Sequence, residues 1–526
     1  MAARSLPFSL PKRITRSKTD LLKALSATVG TDKTAPHFAF IDDPATIPTT
    51  PQAKRLYFLS KEFGRRAARQ LAEEWPTLFM FDRDKPRLEA FRPEKLPNLL
   101  ETEPVDETTL KRFLDVLRVE DALKVYERLR TNNVELSAET LQRLFELAAY
   151  YNCENAPPSE NSEWPGLRLF YEDPKKSVEK HAEMVGLLFN QVPKTQENYS
   201  TMICWLAKFG GKNAKTKAIT LLETMASQQQ VPESSALTLL IHSMHSMSDV
   251  HQVFQKMVEL QIRPTIQHFN AAIKATSMNK KFEAKWTESK KYLAEIAHCG
   301  LRPSLTTYEL ILFILKSEDD NPNSKQLSMA INALSEALDE LESRPTIEPV
   351  EATDQLFFAT AMNVAVLGNN RALVDRIEKL YQSPRNHVKM IVFNNESSFY
   401  VEFLLYKIDF LDIAETERLY KELVPRVVGV NMSLINAMLK KLEAGGRPWS
   451  LFRRVIEDAI NARQLLHDKM CTALLNEVKN YDVTKLNESE REDCEQLLSR
   501  IETGIEDIRE MREHQNSMKK LFITHG

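Results

Sequence analysis

Glycine is scarce in this 526-residue sequence, with only 13 in all. That scarcity suits helices joined by short connections. No Gly-x-x-x-x-Gly-Lys-Ser/Thr loop occurs, so nucleotide hydrolysis lacks its phosphate cradle. The five cysteines, Cys153, Cys204, Cys299, Cys471 and Cys494, are scattered and odd in number, with no Cys-x-x-Cys pair. Neither a zinc ribbon nor a disulfide framework is supported, and a reducing compartment is the plain expectation. Long apolar runs are missing too. The longest nearly apolar stretch, Leu356 to Leu367, falls short of the roughly 20 residues that span a bilayer, so no membrane partner is expected. Catalytic constellations are equally thin. His242-x-x-His245 with His251 has no convincing carboxylate or thiolate to complete a metal site, and Asp42-Asp43 and Asp319-Asp320 stand in loop-like sequence without a base or metal motif. The last 200 residues show neither alternating strands nor zinc-ligand spacing. The expectation is a protein that is not an enzyme and has no catalytic residues, metal or cofactor.

What is present is helical periodicity that repeats. Four apolar signatures open alike: Tyr199/Met202/Ile203/Leu206, Leu237/Leu240/Ile241/Met244, Phe269/Ala272/Ile273 and Tyr308/Ile311/Leu312/Leu315. Each sets its apolar residues at i, i+3 and i+4, one face of an α-helix. Between them lie second stripes, Ala218/Leu221/Leu222/Met225, Val250/Val253/Phe254/Met257 and Trp286 with Leu293/Ile296. Connectors ending in Pro193, Pro232, Pro264 and Pro303 precede the first stripes. Successive signatures are 38, 32 and 39 residues apart, so the unit is a two-helix hairpin of roughly 35 residues. One hairpin cannot cover its own apolar face and must stack on its neighbours. The fold class expected is all-α, an α-solenoid of stacked helical hairpins.

Along the chain, residues 1–19 carry Arg4, Lys12, Arg13, Arg16 and Lys18 among serines and threonines, with no acid before Asp20. This is the composition of a mitochondrial transit peptide. Residues 20–105 form a proline-rich helical extension in which Arg55, Lys61, Arg65, Arg66 and Arg69 lie on one expected helix, a possible phosphate-binding face. A degenerate repeat is expected at 106–152, a flexible loop at 153–176 and the repeat core at 178–315. Degenerate helical repeats follow at 327–485, and a capping helix at 486–526 carries Cys494/Leu497/Leu498/Ile501/Ile505/Ile508/Met511. Net charge is only −3, but residues 194–302 hold 14 Lys and Arg against 8 Asp and Glu, while 318–354 hold 2 against 10. A basic face on the repeats and a separate acidic segment are expected.

The aromatic-x-x-x-Ile openings and the Ile/Leu-Arg-Pro-Thr/Ser connectors resemble pentatricopeptide repeats. The Trp-x-x-Leu-Gly opening of tetratricopeptide repeats is absent. More narrowly, His268 to Thr276 with Lys281 to Trp286, and Leu22 to Val29 with Phe40 to Pro44, resemble the pentatricopeptide-repeat domain protein 3 family of the animal mitochondrial small ribosomal subunit. The resemblance implies a matrix protein that contacts small-subunit ribosomal RNA and neighbouring mitochondrial ribosomal proteins, with messenger RNA as a further partner, in support of mitochondrial translation. It also implies base-facing positions at Ser200 with Glu233, Thr238 with Thr265, and Asn270 with Ser304. Phosphate contacts in a basic groove would come from Lys208, Lys212, Lys215, Lys217, Lys274, Lys280, Lys281 and Lys285. Two other classes stay open, a free RNA-processing or stability factor and a protein-interaction scaffold that binds no RNA.

Overall fold

The computed structural model describes residues 19–28, 51–75, 105–154, 182–210, 213–244, 246–278, 281–316, 325–386, 390–391, 394–425, 427–462 and 468–524. Residues 1–18 of the expected import segment and 155–176 of the expected loop lie outside them, as do Lys212 and Lys280. Every described element is an α-helix or a short 3-10 helix, and no strand occurs among the described residues. The chain divides into two compact units, Thr50–Phe410 and Leu411–Gly526 with Met1–Thr49.

Helix α1 (Asp20–Ala27), in the second of these units, leaves Leu21, Leu22 and Leu25 exposed. Helix α2 (Pro51–Glu74), in the first, leaves Leu56, Phe63 and Leu71 exposed; the side chains of Arg55, Arg65, Arg66 and Arg69 lie outside the described set. The rest of the first unit is a run of hairpins: α3 (Glu107–Asp115) with α4 (Val119–Thr131), and α5 (Ala138–Tyr150) with α6 (Ala182–Gln191). Then come α7 (Gln196–Phe209) with α8 (Ala214–Ser227), α9 (Ser234–Ser243) with α10 (Met247–Glu259), and α11 (Ile266–Ser277) with α12 (Phe282–His298). They are followed by α13 (Leu305–Leu315) with α14 (Lys325–Ser343), α15 (Phe357–Leu367) with α16 (Arg371–Tyr381), and α17 (Asn394–Phe410). Each first helix packs on the first helix of the next hairpin, so α7, α9, α11, α13, α15 and α17 form one continuous row.

The stripes in the sequence explain the row. Tyr199, Met202, Ile203 and Leu206 of α7 are buried, as are Leu237, Leu240 and Ile241 of α9 and Phe269, Ala272 and Ile273 of α11. The second helices bury Ala218, Leu222 and Met225, then Val250, Val253 and Met257. Burial of each large aliphatic side chain is worth about 1.5–3 kcal/mol. It is available only when the next hairpin is in place.

The connectors repeat as closely as the helices. Helices α8, α10 and α12 end with a left-handed residue one past the cap: Gln229 (φ 56°), Gln261 (φ 56°) and Gly300 (φ 69°). In each case the following amide reaches back to the helix, Gln230 to Met225, Ile262 to Met257 and Leu301 to Ile296. This is the Schellman closure, which satisfies carbonyls the helix end leaves open. A proline comes next, and the chain re-enters a helix at an extended N-cap. Ser304 accepts from the Thr307 amide, as Thr195 does from Asn198.

The second unit holds α18 (Ile413–Leu423), α19 (Met432–Ala444), α20 (Trp449–Asn461), α21 (Asp468–Lys479) and α22 (Glu488–Thr524). Tyr420 donates from Oη to Asp458 at 3.1 Å, and Trp449, Phe452 and Tyr481 pack ring on ring. Helix α22 packs on α20 and α21. It buries Cys494, Leu497 and Ile501, whereas Leu498, Ile505 and Ile508 are only half-buried.

Candidate nucleic-acid interface

Stacked hairpins put equivalent parts of each repeat on the same edge. The turn between the two helices of each hairpin opens on one edge of the stack, and the proline connectors lie on the other. The lysines singled out in the sequence gather at the hairpin-turn edge rather than along a trough. Lys208 and Lys274 lie in the last turns of α7 and α11. Lys215 and Lys217 lie in the first turn of α8; Lys281 is the N-cap of α12, and Lys285 follows in its first turn. Lys208, Lys217, Lys274 and Lys281 are exposed, while Lys215 and Lys285 are half-buried.

Sequence reasoning passed over the aromatic neighbours of this edge. Tyr150, the last residue of α5, is 63% exposed. The Lys208 ammonium lies 5.9 Å from its ring centroid and 4.9 Å from that of Phe209. A cation beside an open aromatic face is the pairing that tracks phosphate and stacks a base in single-stranded nucleic acid. His242, in the last turn of α9, is held below the ordinary imidazole range by burial and, secondarily, by Lys274. It adds no positive charge at neutral pH.

The expected base-facing residues lie toward the connector edge and are largely committed to the protein. Ser200 is buried; its Oγ donates to the Gln196 carbonyl at 2.8 Å and accepts from the Glu233 amide at 3.0 Å. That pair is brought together, but as a clip between α7 and the entry to α9, with the Glu233 carboxylate left exposed. Thr238 is half-buried and donates to the Ser234 carbonyl at 3.0 Å. Thr265, also half-buried, gives its amide to Nδ1 of His268 at 2.9 Å. Buried His268 reaches the Ser234 carbonyl through Nε2 at 3.1 Å, so it is best satisfied as the neutral Nε2-protonated tautomer, and burial lowers its proton affinity. Asn270 and Ser304 are both buried and meet at 2.9 Å, with Thr307 Oγ1 donating to Asn270 Oδ1 at 2.6 Å. Ser200, Asn270 and Ser304 therefore offer little to a base in this conformation, which leaves Glu233, Thr238 and Thr265 as the accessible members of the set.

Among the described residues no group of three or more His, Cys, Asp and Glu could hold a metal ion. Burial pushes the Cys153 thiol up to about 12 and that of Cys204 to about 11, which leaves both without nucleophilic thiolate.

Stacked two-helix units with proline connectors and capped first helices define an α-solenoid of the pentatricopeptide type. Comparison with known proteins narrows this. The family model described as small ribosomal subunit protein mS39, PPR, matches residues 19–211. Small ribosomal subunit protein mS39 of Drosophila melanogaster is 28% identical over 459 residues, which cover 84% of this chain and 68% of the fly protein. The Xenopus laevis protein of the same name is 27% identical over 468 residues, with 84% and 68% covered. The chain is similar to mS39, in line with the resemblance carried by the residues around Phe269 and Phe40. These relatives are mitochondrial ribosomal proteins, in keeping with a protein that is not an enzyme. Among solved structures, the pentatricopeptide repeat protein PPR10 from maize aligns with 78% of this chain and 53% of its own at 13% identity and a TM-score of 0.36. The fold assignment rests on the hairpins themselves.

Proposed function

We propose that this chain is an RNA-holding component of the mitochondrial small ribosomal subunit, working in the matrix to support translation. Small-subunit ribosomal RNA would lie along the hairpin-turn edge, and neighbouring ribosomal proteins would dock on the acidic later repeats, with messenger RNA a further partner. The observation that carries the reading is the grouping of Lys208, Lys215, Lys217, Lys274, Lys281 and Lys285 at the turns of α7–α8 and α11–α12, with Lys208 beside the open face of Tyr150. Such an edge binds through phosphate charge and stacking, with little dependence on base sequence. Glu233, Thr238 and Thr265 are the side chains left to add base preference.

The test combines charge reversal with sedimentation. Lys208→Glu, Lys215→Glu and Lys217→Glu together should reduce ultraviolet crosslinking to ribosomal RNA on the order of tenfold, with helix content unchanged. The variant should also leave the small-subunit fraction of a sucrose gradient as salt is raised. Wild-type protein absent from that fraction would favour a free RNA-processing factor. Crosslinking untouched by the three reversals would favour a scaffold that binds only protein.

A further inference from the structure

Three successive connectors between hairpins, 228–233, 260–265 and 299–304, are each six residues long. The next, 344–356, has thirteen. Its surplus does not loop into solvent but doubles back over the repeat before it. Arg344 donates to the Pro303 carbonyl at 2.7 Å, and Ile347 is buried. Gln267 reaches the Val350 carbonyl at 3.4 Å. Asp354, 1% exposed, anchors the fold-back through four hydrogen bonds. Its Oδ1 accepts from the Thr306 amide at 2.6 Å and from the Thr306 hydroxyl at 2.7 Å; its Oδ2 accepts from the amides of Val350 at 2.6 Å and Glu351 at 2.9 Å.

This anchoring delivers Glu351 to a polar notch at the starts of α11 and α13. The notch is made by the Asn270 amide and the Ser304 and Thr307 hydroxyls, and the Asn270 Nδ2 donates to the Glu351 carboxylate. One turn further along α11 stands Lys274, which acts electrostatically on both Glu351 and the buried Glu309 of α13. The chain thus sets its own carboxylates against Lys274 and closes the hydrogen-bonding groups beside it.

We infer that the connector 344–356 is a built-in stop, in which Glu351 occupies the Asn270–Ser304–Thr307 notch and ends the surface available to single-stranded RNA at Lys274. The inference rests on the RNA reading above and adds where that contact finishes. A phosphate chain turning from Lys274 toward the start of α11 would meet the Glu351 carboxylate, and a base would find the notch filled. The four bonds to Asp354 make the stop a fixed part of the fold rather than a lid that RNA lifts.

The experiment uses the full chain, a fluorescein-labelled 30-nucleotide oligouridylate and anisotropy at fixed salt. Glu351→Ala opens the notch and should tighten binding on the order of tenfold, the scale of one charge-assisted hydrogen bond gained. Glu348→Ala removes the same charge from an exposed position of the same connector and should change affinity less than about twofold, as expected for one screened surface charge. Glu351→Gln keeps an acceptor for Asn270, so it should behave like the Glu348 variant. Hydrogen exchange on the wild-type protein supplies a readout that needs no variant. RNA should protect the last turns of α7 and α11 and leave residues 304–309 and 347–354 unchanged. Glu351→Ala no tighter than Glu348→Ala, or RNA-induced change in 304–309 or 347–354, would overturn the stop. If the Lys208/Lys215/Lys217 reversals still abolish binding, the RNA reading survives that result. If neither wild type nor Glu351→Ala holds the oligonucleotide, the RNA reading fails and the stop falls with it.

Discussion

Helices α7, α9 and α11 and helices α13, α15 and α17 are successive lengths of one row, yet they present different chemistry. The first length carries Lys208, His242 and Lys274 in the last turns of its helices. The second carries Glu309, Glu351 on its connector, and Glu402, all with proton affinity raised, in each case chiefly by burial. Their surroundings differ as well. Helices α7, α9 and α11 bury seven, four and eight residues and α13 buries nine, with Thr306 held against Asp354 of the fold-back connector. Stacking needs only the apolar stripe, so the remaining positions are free to diverge in charge without disturbing the architecture.

The core of the second length is an aromatic run: Phe357 against Phe358 at 5.2 Å, Phe358 against Tyr381 at 5.3 Å, Tyr381 against Phe399 at 5.1 Å. The largest effect is expected there. Phe357→Ala should cost about 3–5 kcal/mol in urea unfolding, against roughly 2 kcal/mol for Phe254→Ala in the first length, where the ring is only half-buried. Equal losses would mean that the two lengths share one cooperative core. Asp354→Ala ranks next. Losing the carboxylate strands the Thr306 and Val350 amides, for a cost of roughly 3 kcal/mol, and residues 346–356 should lose their hydrogen-exchange protection. Exchange confined to that connector would show that the two lengths can be uncoupled at the stop. The lysine reversals come third and should act only through the first length. The slope of log affinity against log salt should fall by about 0.7 for each phosphate contact removed. Reversing Lys325 and Lys379, on second helices of the later repeats, should leave that slope unchanged.

How far the sequence could be read follows from the range of the interactions. The stripes Leu237/Leu240/Ile241 and Val250/Val253/Met257 depend on neighbours within a turn or on the adjacent hairpin, and the structure buries all six. The left-handed Gln229 and Gln261 were less legible, because the helix closure sets their backbone and no glycine marks it. Asn270 and Ser304 show where local reading ends. Both stand at positions that repeat spacing would leave facing solvent, yet Glu351, 81 residues beyond Asn270, helps to bury them. One signal was available. The connector after α14 exceeds the six-residue norm and carries Pro345 and Pro349, a length that helix pitch alone does not require. A linear count cannot tell the end of a first helix from the start of a second, so the sequence does not say on which edge of the stack the expected basic groove lies. Nothing local to Tyr150 marks it as a neighbour of Lys208.

The smallest expected effect is also the one that separates the regions most cleanly, because acidification should move them in opposite directions. At the start of the stack, Glu107 is held down to about 2 by hydrogen bonds from Ser137 and Thr140 and by Lys111, and Asp106 to about 2 by hydrogen bonds from Thr109 and Thr108. A carboxyl depressed in the folded state favours folding above its unfolded value, near 4.5 for Glu107 and 3.8 for Asp106, and that contribution is lost as pH falls toward 2. Asp106 is exposed and Glu107 only half-buried, so the loss is small and screened by salt. Glu309, Glu351 and Glu402 have the opposite sign. Their folded forms bind the proton more readily than the unfolded chain, so stability falls as pH rises from 4.5 through the raised folded value and is regained on acidification. Between pH 7 and 4.5, exchange corrected for its intrinsic pH dependence should therefore slow in α13, α15 and α17 while α3 and α5 stay constant. Below 4.5, α3 and α5 should begin to open. Parallel loosening of both regions above pH 4.5 would mean that the later carboxylates are stabilised as anions, in which case Lys274 and Lys316 outweigh burial and the acidic length is not set apart from the basic one.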